Sequence, residues 1–220
     1  NKLGVAFYMA AQGVPFMQAG EEMLRSKPDA KAEGGYNENS YNAPDSVNSI
    51  KWDELWDVNS QDLLEYYKGM IAFRKAHPAL RMSTASDVND NVFNLSGLEA
   101  NVLGYRINGG ANGDTAEGIV AIYNANEKAT TVTLPEGEWH ICVNKDTAGV
   151  YSLGKVSGTV TVDAVSAMIL VQGDVAAAPA AEGGNAAATP AATNWVVVII
   201  VWAVVAVISA GAVLLLLKKK

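Results

Sequence analysis

The residues with the greatest chemical potential lie between Ala19 and Trp52, in AGEEMLRSKPDAKAEGGYNENSYNAPDSVNSIKW. The stretch opens with two adjacent carboxylates, Glu21 and Glu22, and ends in a patch of Asn, Tyr, Pro and Asp. Positioned carboxyl groups are a common means of general acid and base chemistry. Neighbours on an extended segment, however, point to opposite sides and do not easily flank one bond. In the second patch, Asn39 and Tyr41 suit a ligand rich in hydroxyl groups. An amide both donates and accepts, and a phenol can stack or donate its hydroxyl. Asn-Ser-Tyr and Pro-Asp are equally good turn formers that cap their own loop, so both roles stay open for these residues.

The elements around this stretch must position it. LGVAFYMAAQ reads as the end of a helix, and GVPFMQAG as a short buried strand bounded by glycines. A polar, Gly- and Asn-rich stretch follows to about Ser60. SQDLLEYYKGMIAFRKAHP then predicts a helix with Leu63, Tyr67, Met70, Ile71 and Arg74 along one face. Ser60 is its expected N-cap, and His77-Pro78 stops it. Helix, strand, long loop and helix make residues 1–82 an α/β unit.

Residues 83–173 change to short β-rich runs: NVLGYRI, GIVAIYNAN, TTVTLP, EWHICVN, GTVTVD and AMILVQG. GGANGD and LPEGE are turn signals between them. The pattern predicts an antiparallel β-sandwich. Trp139, Tyr105 and Tyr123 could form a flat platform, but aromatic residues inside strands more often build core.

Residues 174–194, DVAAAPAAEGGNAAATPAATN, read as a flexible linker, since Gly and Pro interrupt the alanines. Residues 195–217, WVVVIIVWAVVAVISAGAVLLLL, carry no charge. At about 1.5 Å per residue they would extend roughly 35 Å as a helix, enough for a hydrocarbon core of about 30 Å. A single transmembrane helix is therefore expected, with Trp195 at one edge and Lys218, Lys219 and Lys220 as a cytoplasmic tail. That orientation puts everything before Trp195 outside the cell, tethered to the cell membrane.

The net charge of −7 disfavours nucleic-acid binding, which needs a basic surface. The single cysteine, Cys142, forms no internal disulfide, and with only His77 and His140 a Cys/His metal cluster is excluded. No metal and no cofactor is assigned. The chain begins at Asn1 without a signal peptide, so the expectation is the C-terminal fragment of a longer protein.

Three motifs in this order resemble the end of type I pullulanases, a family of α-amylase-like glycoside hydrolases. They are GVPFMQAGEE, NSYNAPDSVNSIKW and YYKGMIAFRKAHPAL, and the resemblance is strong over residues 13–80. It weakens towards residue 173, where LPEGEW and SAMIL are similar to the closing all-β domain of that family. The resemblance implies an α/β plus all-β chain. Residues 1–82 would be the C-terminal end of a (β/α)8 barrel, with GVPFMQAGEE as the eighth strand, and residues 83–173 a β-sandwich. The long loop would then lie on the catalytic face, where such barrels place their active sites.

The implied activity is retaining hydrolysis of α-1,6-glucosidic bonds in pullulan, branched starch and glycogen. Its catalytic carboxylates would lie upstream, so this chain would hold no catalytic residue and be inactive alone. The implied substrate-binding residues are Asn39, Tyr41, Asp45 and Asn48, the last two through the family match alone. Glu22 matches the family carboxylate and is expected to brace the strand end by hydrogen bonds. Glu21 departs from the usual Gln. Trp52 and Trp56 are expected to pack the loop on the rim or to stack on glucose, and Arg25 to support the site from behind. Alternatives are an isoamylase or neopullulanase specificity, or a non-catalytic surface protein that binds α-glucan.

Overall fold

The computed structural model describes residues 1–178. The expected transmembrane segment at 195–217, the lysine tail at 218–220 and most of the linker at 174–194 lie outside the described residues. Among the described residues no helix is long and apolar enough to cross a membrane.

Among the described residues, four α-helices come first: α1 (Lys2–Ala10), the single-turn α2 (Asp45–Asn48), α3 (Val58–Ala76) and α4 (Ala85–Asn91). Six strands follow: β1 (Val92–Asn94), β2 (Val102–Asn108), β3 (Gly118–Asn124), β4 (Thr130–Val143), β5 (Lys155–Val162) and β6 (Ser166–Gln172). They form one sheet in the order β1-β2-β3-β6-β4-β5, and every pairing is antiparallel.

The two central strands alternate strictly. Ile119, Ala121 and Tyr123 of β3, with Ala167, Ile169 and Val171 of β6, face one cluster of buried side chains. Val120, Ile122, Met168 and Leu170 face another. Side chains change face at every residue of a strand, so two covered faces make these strands apolar through their middles, Ile119–Tyr123 and Ala167–Val171. The first face is covered by α1 and α3, through Val5, Met9, Leu63, Tyr66, Met70 and Phe73. One core therefore runs from residue 5 to residue 171 without a break near residue 82.

The second face is covered by the sheet itself. The outer halves of β4 and β5 supply Val132, Leu134, Val160 and Val162 to the same cluster as Val120 and Leu170. They reach it because the β4–β5 register shifts between Thr133 and Glu138, where a bulge bends the strand. This corrects the sandwich expected from the sequence. The second layer is a bent hairpin of one continuous sheet, and LPEGE is the bend within β4 rather than a turn between two strands. Trp139, beside the bend, is fully buried and donates its indole N–H to the Pro135 carbonyl at 3.0 Å.

The expected eighth barrel strand at GVPFMQAG does not form, and the described residues contain no (β/α)8 barrel. A strand needs a neighbour to satisfy its backbone N–H and C=O groups. None of the described residues pairs with residues 14–18. Val14 is 96% exposed and Phe16 90%, whereas a barrel strand would bury both. The closing helix does form as α3, but its N-cap is Asp57, whose Oδ1 accepts from the Asn59 N–H at 2.9 Å. Ser60 sits inside the first turn, and its hydroxyl donates instead to the Met23 carbonyl at 3.0 Å.

Candidate functional site

The long loop is anchored to the helices at its start. Gly20, with φ of 95°, turns the chain into a 3-10 turn over Glu21–Met23, and Met23 is buried beneath it. A left-handed backbone is easiest for glycine. The space there is also taken, because a Cβ at Gly20 would meet the Arg25 side chain.

Glu21 is the brace of this corner. Its Oε2 accepts from the hydroxyls of Tyr8 on α1 and Tyr67 on α3, each at 3.2 Å, and its Oε1 accepts from the Gln18 N–H at 3.0 Å. Burial raises both phenols above their ordinary pKa, and the Glu21 carboxylate adds to the effect, so both remain protonated donors. Glu22 accepts from the Gly20 N–H at 3.0 Å. The bracing expected of Glu22 thus falls chiefly to Glu21. The two carboxylates serve separate hydrogen bonds.

Further along, the loop is held by its own polar groups. Lys27 donates to the Ser40 hydroxyl at 2.6 Å, and the Asn37 amide donates to Asp29 at 2.9 Å. Asn48 closes the far end: its amide donates to the carbonyls of Ser40 at 2.6 Å and Ala43 at 3.0 Å. Arg25 clamps the two ends together, donating to the Ala19 carbonyl at 2.9 Å and to the Asn48 carbonyl.

Asn48 therefore lies in the loop's interior, with its amide hydrogens already used. Asn39, Tyr41 and Asp45 are exposed. Their side chains make no hydrogen bond among the described residues, which leaves them free to meet a ligand. Tyr41 is 83% exposed, and Trp52 and Trp56 are also open to solvent rather than packed down. Asp45 begins α2, where a negative charge suits the first turn. What the sequence could not disclose is Tyr8: nothing in LGVAFYMAAQ marks one hydroxyl as a partner for a distant carboxylate.

Elsewhere, polar side chains serve structure. Asp114 accepts from the N–H groups of Ala79 at 3.1 Å and Ala116 at 2.9 Å and pairs with His77 Nδ1 at 3.2 Å. Burial acts to raise its pKa, but these hydrogen bonds outweigh it and hold the carboxyl below its ordinary value. Tyr105 donates to the Ala10 carbonyl at 2.9 Å and meets the Tyr123 hydroxyl at 3.2 Å, so neither forms a platform. Cys142 is buried, which pushes its thiol up to about 12, far from a reactive thiolate. Among the described residues, no three His, Cys, Asp or Glu side chains cluster closely enough to hold a metal ion.

Residues 88–147 match the family model described as pullulanase, all-beta domain. A pullulanase of Bacillus subtilis (strain 168) is 32% identical over 135 residues, covering 61% of this chain and 17% of that protein. An isoamylase of Flavobacterium sp is 33% identical over 153 residues, covering 61% and 18%. Among solved structures, a pullulanase from Bacillus acidopullulyticus shares 42% identity with a TM-score of 0.70, covering 78% of this chain and 20% of that one. A pullulanase from Anoxybacillus sp. LM18-11, solved in complex with maltotetraose, shares 26% identity with a TM-score of 0.61, covering 78% and 23%. The chain thus spans about a fifth of the length of the relatives it matches.

Proposed function

We propose that this chain is the C-terminal part of a debranching glycosidase that hydrolyses α-1,6-glucosidic bonds of pullulan and branched starch or glycogen with retention. The observation that carries this reading is the 42% identity and TM-score of 0.70 to a pullulanase over 78% of the chain. That match is wider than the family model's residues 88–147 and so takes in helices as well as sheet. The maltotetraose complex of a second similar pullulanase supports an α-glucan as the ligand class.

In this account the catalytic carboxylates come from residues upstream of Asn1. Retaining hydrolysis needs two carboxyl groups about 5–5.5 Å apart. Glu21 and Glu22 are occupied separately. The long loop is the rim of the sugar site. Asn39, Tyr41 and Asp45 reach the glucan, and Asn48 contributes by holding the loop's shape together with Arg25. Residues 195–217 anchor the enzyme in the cell membrane, with the glycosidase outside and Lys218–Lys220 inside, as their composition supports.

The isoamylase match supports a second reading, an isoamylase specificity. Incubating the complete protein with each polymer decides. Release of maltotriose from pullulan is expected, and the 220-residue chain alone releases none. Maltose from internal α-1,4 cleavage contradicts the assignment, and action on glycogen alone favours the isoamylase specificity.

A further inference from the structure

Away from the long loop, the sheet carries a cleft of about 340 Å³. It lies between the outer half of β4 and the edge made by β1 and β2, and Phe93, Asn94, Ser96, Arg106, Thr133 and Leu134 line it. Its size falls at the low end of the roughly 300–1,000 Å³ typical of small-molecule sites.

The strand register explains how these groups meet. Phe93 stands directly opposite Arg106 on adjacent antiparallel strands, so the two side chains share a face. Arg106 is in turn opposite Val120, which belongs to the cluster under the bent hairpin. The guanidinium therefore lies on the face that the hairpin only partly covers. Its Nε is buried and has no hydrogen-bond partner among the described residues. No Asp or Glu lines the cleft. Buried donors are nearly always paired, and among the described residues no protein acceptor competes for this guanidinium.

We propose that this cleft is a second binding site for a short stretch of linear α-glucan, an inference that rests on the α-glucan reading above. Phe93 is 49% exposed and offers its ring to the C–H face of a glucosyl unit. The terminal nitrogens of Arg106 donate to a hydroxyl oxygen. Asn94, Ser96 and Thr133 both donate and accept, which matches groups that do the same. A small anion matches less well. It would turn its charge towards the apolar Leu134 wall and the acceptor oxygens, on a chain of net charge −7.

The test is calorimetric titration of maltohexaose into the full chain and into its Phe93→Ala and Arg106→Gln variants, after thermal unfolding of each. Wild type is expected to bind, and each variant to bind at least tenfold more weakly. Because Arg106 Nε has no partner to lose, Arg106→Gln should leave the unfolding midpoint unchanged or raise it. A drop in that midpoint would assign Arg106 to structure and overturn the proposal. If wild type binds and both variants bind equally well, the cleft is excluded while the α-glucan reading stands. Absence of binding by wild type also overturns the cleft, and the debranching reading is then judged by the pullulan products of the complete protein. Displacement of maltohexaose by inorganic phosphate would identify an anion site and overturn the sugar assignment.

Discussion

Tyr67, in the middle of α3, donates its hydroxyl to the Glu21 carboxylate at 3.2 Å, and Tyr8 of α1 donates to the same oxygen. This contact holds the first corner of the long loop to both helices. Downstream, Arg25 ties the Ala19 and Asn48 carbonyls together, and the rest of the loop is held by its own hydrogen bonds.

Glu21→Ala should therefore destabilise the chain by about 1–3 kcal/mol, because two partly buried hydroxyls lose their acceptor. Glu22→Ala removes only a local bond to the Gly20 N–H and should cost less than about 1 kcal/mol. Urea unfolding of the two variants measures the difference. Equal losses would show that Glu21 has no special bracing role.

Asp114 makes the fold sensitive to acid. Its carboxyl is held below the ordinary value by His77 and two backbone N–H groups, despite burial. A carboxyl with a depressed folded pKa contributes its full stability above the unfolded value, near pH 4, and loses it as pH falls through the folded value. Asp114→Asn should lower the unfolding midpoint at pH 7 and narrow its gap to wild type below about pH 4. A gap that stays constant from pH 7 to pH 3 would show that the charge is not what matters.

Gly69 tests the packing of α3 on the sheet domain. Inside a helix, Gly→Ala ordinarily stabilises by about 1 kcal/mol. Here an added methyl would run into the backbone carbonyl of Ala148. Gly69→Ala is therefore expected to destabilise by about 1–3 kcal/mol, the usual cost of overpacking. A raised midpoint in thermal unfolding would mean that α3 and the 143–148 segment do not pack so closely.

The α3 helix and most of the strands were legible because their apolar spacing matches one period each. Central strands β3 and β6 are apolar through their middles, at Ile119–Tyr123 and Ala167–Val171, yet their length and flanking Gly and Asn identify them. The bend in β4 was not legible. Leu134-Pro135-Glu136-Gly137 has the composition of a turn, and only pairing with β5 on both sides shows that the strand continues. β1 has three residues and α4 seven, too short for a period to show. The strand expected at GVPFMQAG rests on composition and on the family resemblance, and neither supplies a neighbouring strand within the described residues. In the candidate site, residue types pointed to this loop but not to the split within it. Asn39, Tyr41 and Asp45 face outward, while Asn48 faces in, because hydrogen bonds to the Ser40 and Ala43 carbonyls depend on how the loop closes.

The most direct test of the loop as a sugar-site rim is the kcat/KM of the complete protein on pullulan, for wild type and Tyr41→Ala. Tyr41 is 83% exposed and has no hydrogen-bond partner among the described residues, so the substitution should leave the unfolding midpoint in place. The account predicts a fall of at least about tenfold, equivalent to about 1.4 kcal/mol of lost transition-state stabilisation. An unchanged kcat/KM with an unchanged midpoint would contradict it.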